Sequence, residues 1–139
     1  MASLQKHFDD LSYVLSTLKY KFDIIGISEH KIIKDTSPSV NINLPGYNEF
    51  IYTPTESTHG GTGFYIKNDI DYIKRDDLQI NSSPDYESTF IELQFTNKKN
   101  LIIGCIYRHP SSSISVHDFS NFHLVHHFKK LVLKINNVS

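Results

Sequence analysis

Hydrophobic and polar positions change period several times along the chain, and the changes mark its elements. Phe8, Leu11, Leu15 and Leu18, with Val14 beside them, recur at helical spacing, so the pattern predicts an amphipathic helix over about Leu4 to Tyr20. Asp9 and Asp10 stand toward its start and Lys19 and Lys21 toward its end, an order that suits the helix dipole. A very short connection leads into Ile24-Ile25-Gly26-Ile27, an apolar run too short for a bilayer and too β-branched to favour a helix. It reads as a buried strand, apolar on both faces. The run ends in Ser28, Glu29 and His30, a carboxylate and an imidazole where sheets covered by helices place their chemistry.

Beyond Glu29, residues 31–39 are polar and broken by Pro38, hence a loop. Pro45-Gly46 signals a turn. Asn48 to Tyr52 reads as a strand, and Gly60-Gly61-Thr62-Gly63 opens another at Phe64 to Lys67. Asn68-Asp69 is placed to turn the chain back into Ile70 to Lys74. Glu87 to Phe95 alternates, with Phe90, Leu93 and Phe95 apolar and Glu92 and Gln94 polar. Asn97 to Asn100 forms a hairpin turn into a second buried strand, Leu101 to Tyr107, which ends in Arg108-His109-Pro110. Leu124, Phe128, Leu131 and Ile135 recur at helical spacing, which predicts a helix from about Val116 to Ile135. Strands outnumber helices and most neighbours are joined by short turns. The expected class is α/β in the α+β sense, a mixed and mostly antiparallel sheet with helices packed on it.

Bulk composition narrows the function classes. At 139 residues one domain is expected. Hydrophobic content of 39% with 21% charged residues describes a globular chain, and a net charge of -1 is no polybasic nucleic-acid footprint. The single cysteine, Cys105, excludes an internal disulfide framework and fits a reducing compartment. The stretch from Met1 to His7 has no signal-peptide core, and no apolar run approaches a bilayer's width. The expectation is an intracellular protein of cytoplasm or nucleus, neither secreted nor in a membrane.

Glu29 at one strand tip and Tyr107-Arg108-His109 at another are the candidates for chemistry. On neighbouring strands their tips would share one rim, where a carboxylate suits Mg2+ and tyrosine with arginine suits a phosphate oxygen. The plainer reading makes Glu29 the first solvated residue after its strand, Tyr107 a half-buried aromatic and Arg108 a solvated charge. The glycine run lacks the lysine and hydroxyl residue of a P-loop and precedes a strand, so a tight turn or a close backbone approach is expected of it. His123 and His127, four apart, would share a helix face able to bind zinc, or a solvated histidine face with His117 and His126 nearby. Cys105, inside an apolar run, is expected to be buried and inert. No serine stands in a nucleophile-elbow pattern.

Taken together, the stretches Phe8-Asp9-Asp10-Leu11, Phe22 to Glu29, Leu44-Pro45-Gly46-Tyr47, Gly60 to Ile66, Glu87 to Glu92 and Ile103 to Ser111 resemble the apurinic-endonuclease-like domain of non-LTR retrotransposons. That domain belongs to the endonuclease/exonuclease/phosphatase superfamily. The resemblance runs to about Phe119. It implies a four-layer α/β sandwich, of which this chain would hold the N-terminal part as a single truncated domain over residues 1–139. It also implies Mg2+-dependent cleavage of DNA phosphodiester bonds, with DNA as partner and a reverse-transcriptase domain in a full-length element. By position, Glu29 would be the metal ligand, Tyr107 the active-site tyrosine and Arg108 a phosphate contact.

The family's asparagine before the first helix, its Gly-Asp-Phe-Asn strand and its late Ser-Asp-His segment have no counterpart in the sequence. His30 and His109 stand where the family carries other residues. Without the groups that orient and activate water, the chain alone is expected not to cleave DNA. Two other readings compete. One is a noncatalytic nucleic-acid or protein binding module that uses the glycine turn with Tyr47, Tyr52, Phe64 and Tyr65. The other is a non-functional remnant.

Overall fold

The computed structural model of the protein describes residues 3–56, 59–79, 85–110, 112 and 132–133. Its one α-helix among these residues, α1, spans Leu4–Thr17. The Ser3 carbonyl accepts the amides of Lys6 and His7, but the Ser3 side chain makes no cap. A missing cap costs about 1 kcal/mol, less than the roughly 1.5–3 kcal/mol gained by burying a leucine, and Leu4 is only 1% exposed. His7 leaves helical geometry and kinks the first turn. At the far end the hydroxyls of Ser16 and Thr17 turn back onto the carbonyls of Tyr13 and Val14, and Leu18 is extended. The helix therefore stops short of Lys19 and Lys21, and its first turn holds no acid, so the expected match to the dipole does not form.

Two sheets follow. In the first, β1 (Ile24–Ser28), β3 (Thr62–Ile66) and β2 (Ile51–Thr53) lie in that order, both pairings antiparallel. In the second, β4 (Tyr72–Lys74), β5 (Tyr86–Leu93) and β6 (Leu101–Arg108) are antiparallel, and a two-residue β7 (Val132–Leu133) adds in parallel beside Ile103 and Gly104. The mixed, mostly antiparallel α+β class read from the sequence is the one observed. The hairpin at residues 97–100 places Leu93 opposite Leu101.

Three expectations are corrected. The turn at Asn68-Asp69 does not fold the chain back on β3, because β4 pairs with β5 and the turn passes the chain from one sheet to the other. Among the described residues β1 is an edge strand, not a fully buried one: Ile27 is buried, Ile24 and Ile25 are half-buried, and Gly26 is exposed. The central strand, buried at every position, is β3. At Val132 and Leu133 the expected helix is replaced by β7, and the rest of that helix, with His117, His123, His126 and His127, lies outside the described residues.

Strand alternation sends side chains to opposite faces and so divides the core. Ile25, Ile27 and Tyr65 join Leu4, Phe8, Leu11 and Leu15 of α1 on one side of the first sheet. Ile24, Phe64 and Ile66 meet Ile91, Leu93 and Cys105 of the second sheet on the other. The described residues thus stack as helix, sheet and sheet.

Candidate active site

Past Ser28 the β1–β3 ladder continues with a step out of register. The Glu29 amide donates to the Gly61 carbonyl at 2.7 Å, and the Lys31 amide donates to the Gly60 carbonyl at 2.9 Å. Two residues on one side face one on the other, the count of a β-bulge. Glu29 and Lys31 both sit at φ +60, in the left-handed region where side chains are strained. Gly60 and Gly61 adopt φ +100 and +91, and a Cβ on either would overlap a neighbour, the Glu87 carboxylate or the His30 ring. The glycine run serves close backbone approach, as its sequence indicates.

The residue squeezed inward by the bulge is His30, which is fully buried. Its Nδ1 accepts the Ile32 amide at 2.9 Å, so Nε2 carries the proton and donates to the Thr53 carbonyl at 3.0 Å. Burial pushes the imidazole down to about 4, against the weaker opposing pull of its bond to Thr53. His30 is a neutral core residue wedged edge-on against Phe50 and Tyr52. It is not the second chemical group of the β1 tip that the sequence indicates.

Tyr107 comes to Glu29 from the other sheet. Its hydroxyl donates to Glu29 Oε1 at 2.6 Å. β1 and β6 are not neighbours in one sheet; their tips meet across the gap between two sheets. Burial alone would raise the Glu29 carboxyl, but the Tyr107 hydrogen bond and nearby positive charge, Lys31 included, outweigh it and hold the group below its ordinary value. The Tyr107 phenol is raised, first by burial and then by its bond to Glu29. The pair is therefore a carboxylate with a protonated phenol, and Tyr107 acts as a donor rather than a base.

Arg108 is not brought to this pair. One residue on in the strand, it faces the opposite side of the sheet, and its Nη2 donates to the Ser112 carbonyl at 3.2 Å. The phosphate contact given to it by resemblance does not follow from this placement. The aromatic residues of the binding-module reading also lie elsewhere. Phe64 and Tyr65 are buried, and Tyr47 and Tyr52 pack against the first core. Cys105 is buried as expected, its thiol pushed up to about 11 by desolvation.

Glu87, which the sequence does not single out, completes the rim with His109, which it does. Glu87 lies directly opposite Tyr107 in the β5–β6 register, and its Oε2 accepts the Gly61 amide at 2.7 Å. His109 Nε2 lies 3.5 Å from the same oxygen, and its ring stands edge-on to Tyr107 with centroids 4.9 Å apart. A signal for Glu87 was present: it shares parity with Thr89, Ile91 and Leu93, the inward positions of β5.

Glu29, half-buried at the rim and ionised, offers the hard oxygen that Mg2+ takes, one or two carboxylates sufficing with water for the rest. Among the described residues no group of three or more His, Cys, Asp or Glu side chains is arranged to hold a metal ion. No helix among them is long and apolar enough to cross a membrane. A separate pocket of about 230 Å3, lined by Leu15, Tyr20, Phe22, Pro45 and Tyr47 among others, opens at the opposite end of β1. No family model, curated protein or solved structure matches the chain.

Proposed function

We propose that this chain carries the first part of a Mg2+-dependent DNA endonuclease domain of the non-LTR retrotransposon kind, with Glu29 and Tyr107 in its phosphodiester site. One observation carries the reading: a carboxylate and a phenol 78 residues apart, from different sheets, meet at 2.6 Å on one rim. Glu29 would hold the cation through its carboxylate. When bound there, Mg2+ would polarise a phosphate oxygen and stabilise the leaving oxygen. Tyr107 would keep Glu29 oriented and ionised, its single phenolic O–H being donated to the Glu29 carboxylate. The partner on this reading is DNA, and a reverse-transcriptase domain would accompany the site in a full element.

The general-base histidine and its acid have no counterpart in these residues, so the 139-residue polypeptide would bind the cation without nicking DNA. Calorimetric titration of Mg2+ into the wild type and Glu29→Gln, beside a plasmid-nicking assay, tests the reading. The expected result is binding lost in E29Q and no nicking by either protein. Mg2+ binding that survives E29Q unchanged, or nicking abolished by it, would overturn the reading, in its site or in its inactivity.

A further inference from the structure

We propose that Glu87 is the positioning residue of this rim, one carboxylate that sets Glu29 and Tyr107 relative to each other. The proposal rests on the reading of Glu29 as the cation-holding group. Glu87 projects from β5 toward the first sheet and is 8% exposed. Its Oε2 accepts the Gly61 amide, and the Gly61 carbonyl accepts the Glu29 amide, each at 2.7 Å. A single residue, Gly61, therefore separates the Glu87 carboxylate from the Glu29 backbone. On its other side the same oxygen faces His109 Nε2, and the His109 ring supports Tyr107 edge-on. Glu87 thus reaches Glu29 through Gly61 and Tyr107 through His109.

Two facts set Glu87 apart from an ordinary core residue. A buried carboxylate is costly to desolvate, and Ile91 and Leu93 fill the same face of β5 with apolar groups. Stability alone would favour a third apolar residue there. Glu29 also sits in a left-handed conformation, which persists only where the surroundings over-determine it. The Glu87–Gly61 bond supplies that determination.

Amide hydrogen exchange, measured without metal or DNA, tests this in Glu87→Gln and Glu87→Asp. The glutamine carbonyl still accepts the Gly61 amide, whereas aspartate keeps the charge but falls one methylene short. Exchange at Glu29 and Lys31 should stay within about threefold of wild type in E87Q and rise about tenfold or more in E87D, with Phe90 and Ile91 as reference amides. Equal acceleration in both variants, or none in E87D, overturns the proposal. Acceleration at the reference amides of E87D marks global unfolding, and E87Q alone then decides: protection at Glu29 and Lys31 supports the proposal and loss overturns it.

A parallel Mg2+ titration separates positioning from ligation. E87Q should bind within about threefold of wild type and E87D about tenfold more weakly. Lost affinity in E87Q would make Glu87 a ligand and overturn the positioning role. A wild type that binds no Mg2+ defeats the reading of Glu29 instead, and the exchange comparison then decides on Glu87 by itself.

Discussion

Gly61 lies so close to the His30 ring that no side chain fits between its backbone and the imidazole. The contact fixes the bulge after β1, because Gly61 also receives the Glu29 amide on its carbonyl and gives its own amide to Glu87. Gly61→Ala combines a left-handed backbone with overlap against a buried ring. The expected loss is about 3 kcal/mol of unfolding free energy by urea denaturation.

His30 makes stability depend on pH. Its folded value, about 4, lies below the ordinary 6.5 of an unfolded imidazole. As pH falls from 6.5 toward 4 the unfolded state takes up the proton first, so stability is complete above 6.5 and declines through that window. Between pH 8 and pH 5 the expected loss is about 2 kcal/mol. Glu29, whose carboxyl is lowered, adds its own loss only as pH falls below its ordinary 4.5. Urea titrations at several pH values check this. In His30→Gln the decline between 6.5 and 5 should vanish, whatever the variant's absolute stability.

Cys105 reports on opening of the space between the sheets. Its thiol is buried, raised to about 11, and directed at the Ile27 carbonyl at 3.4 Å. Labelling by a disulfide reagent at neutral pH should be more than about 100-fold slower in the native protein than in urea. Equal rates would show that the two sheets do not close over it.

Much of this architecture is written in local patterns. α1, the strands at residues 24–28 and 101–108 and the hairpin between β5 and β6 follow from periodicity and turn chemistry. The assignment of strands to sheets does not. Asn68-Asp69 reads as a hairpin turn, yet the strand after it joins β5, because partner choice depends on long-range packing that a turn does not encode. For the same reason the tips of β1 and β6 meet from facing sheets and not side by side. The β5 pattern blurred at Phe90-Ile91, where both faces are buried, and that hid the inward parity of Glu87. His30 looked like rim chemistry because a bulge, invisible in the sequence, turns it into the core.

The most direct test of the account is a double-mutant cycle on Glu29→Gln and Tyr107→Phe, measured by equilibrium unfolding. If the carboxylate and the phenol form one hydrogen-bonded unit across the two sheets, the single effects exceed additivity with a coupling of about 1–2 kcal/mol. Effects that add to within about 0.5 kcal/mol, as they do for independent sites, would contradict it.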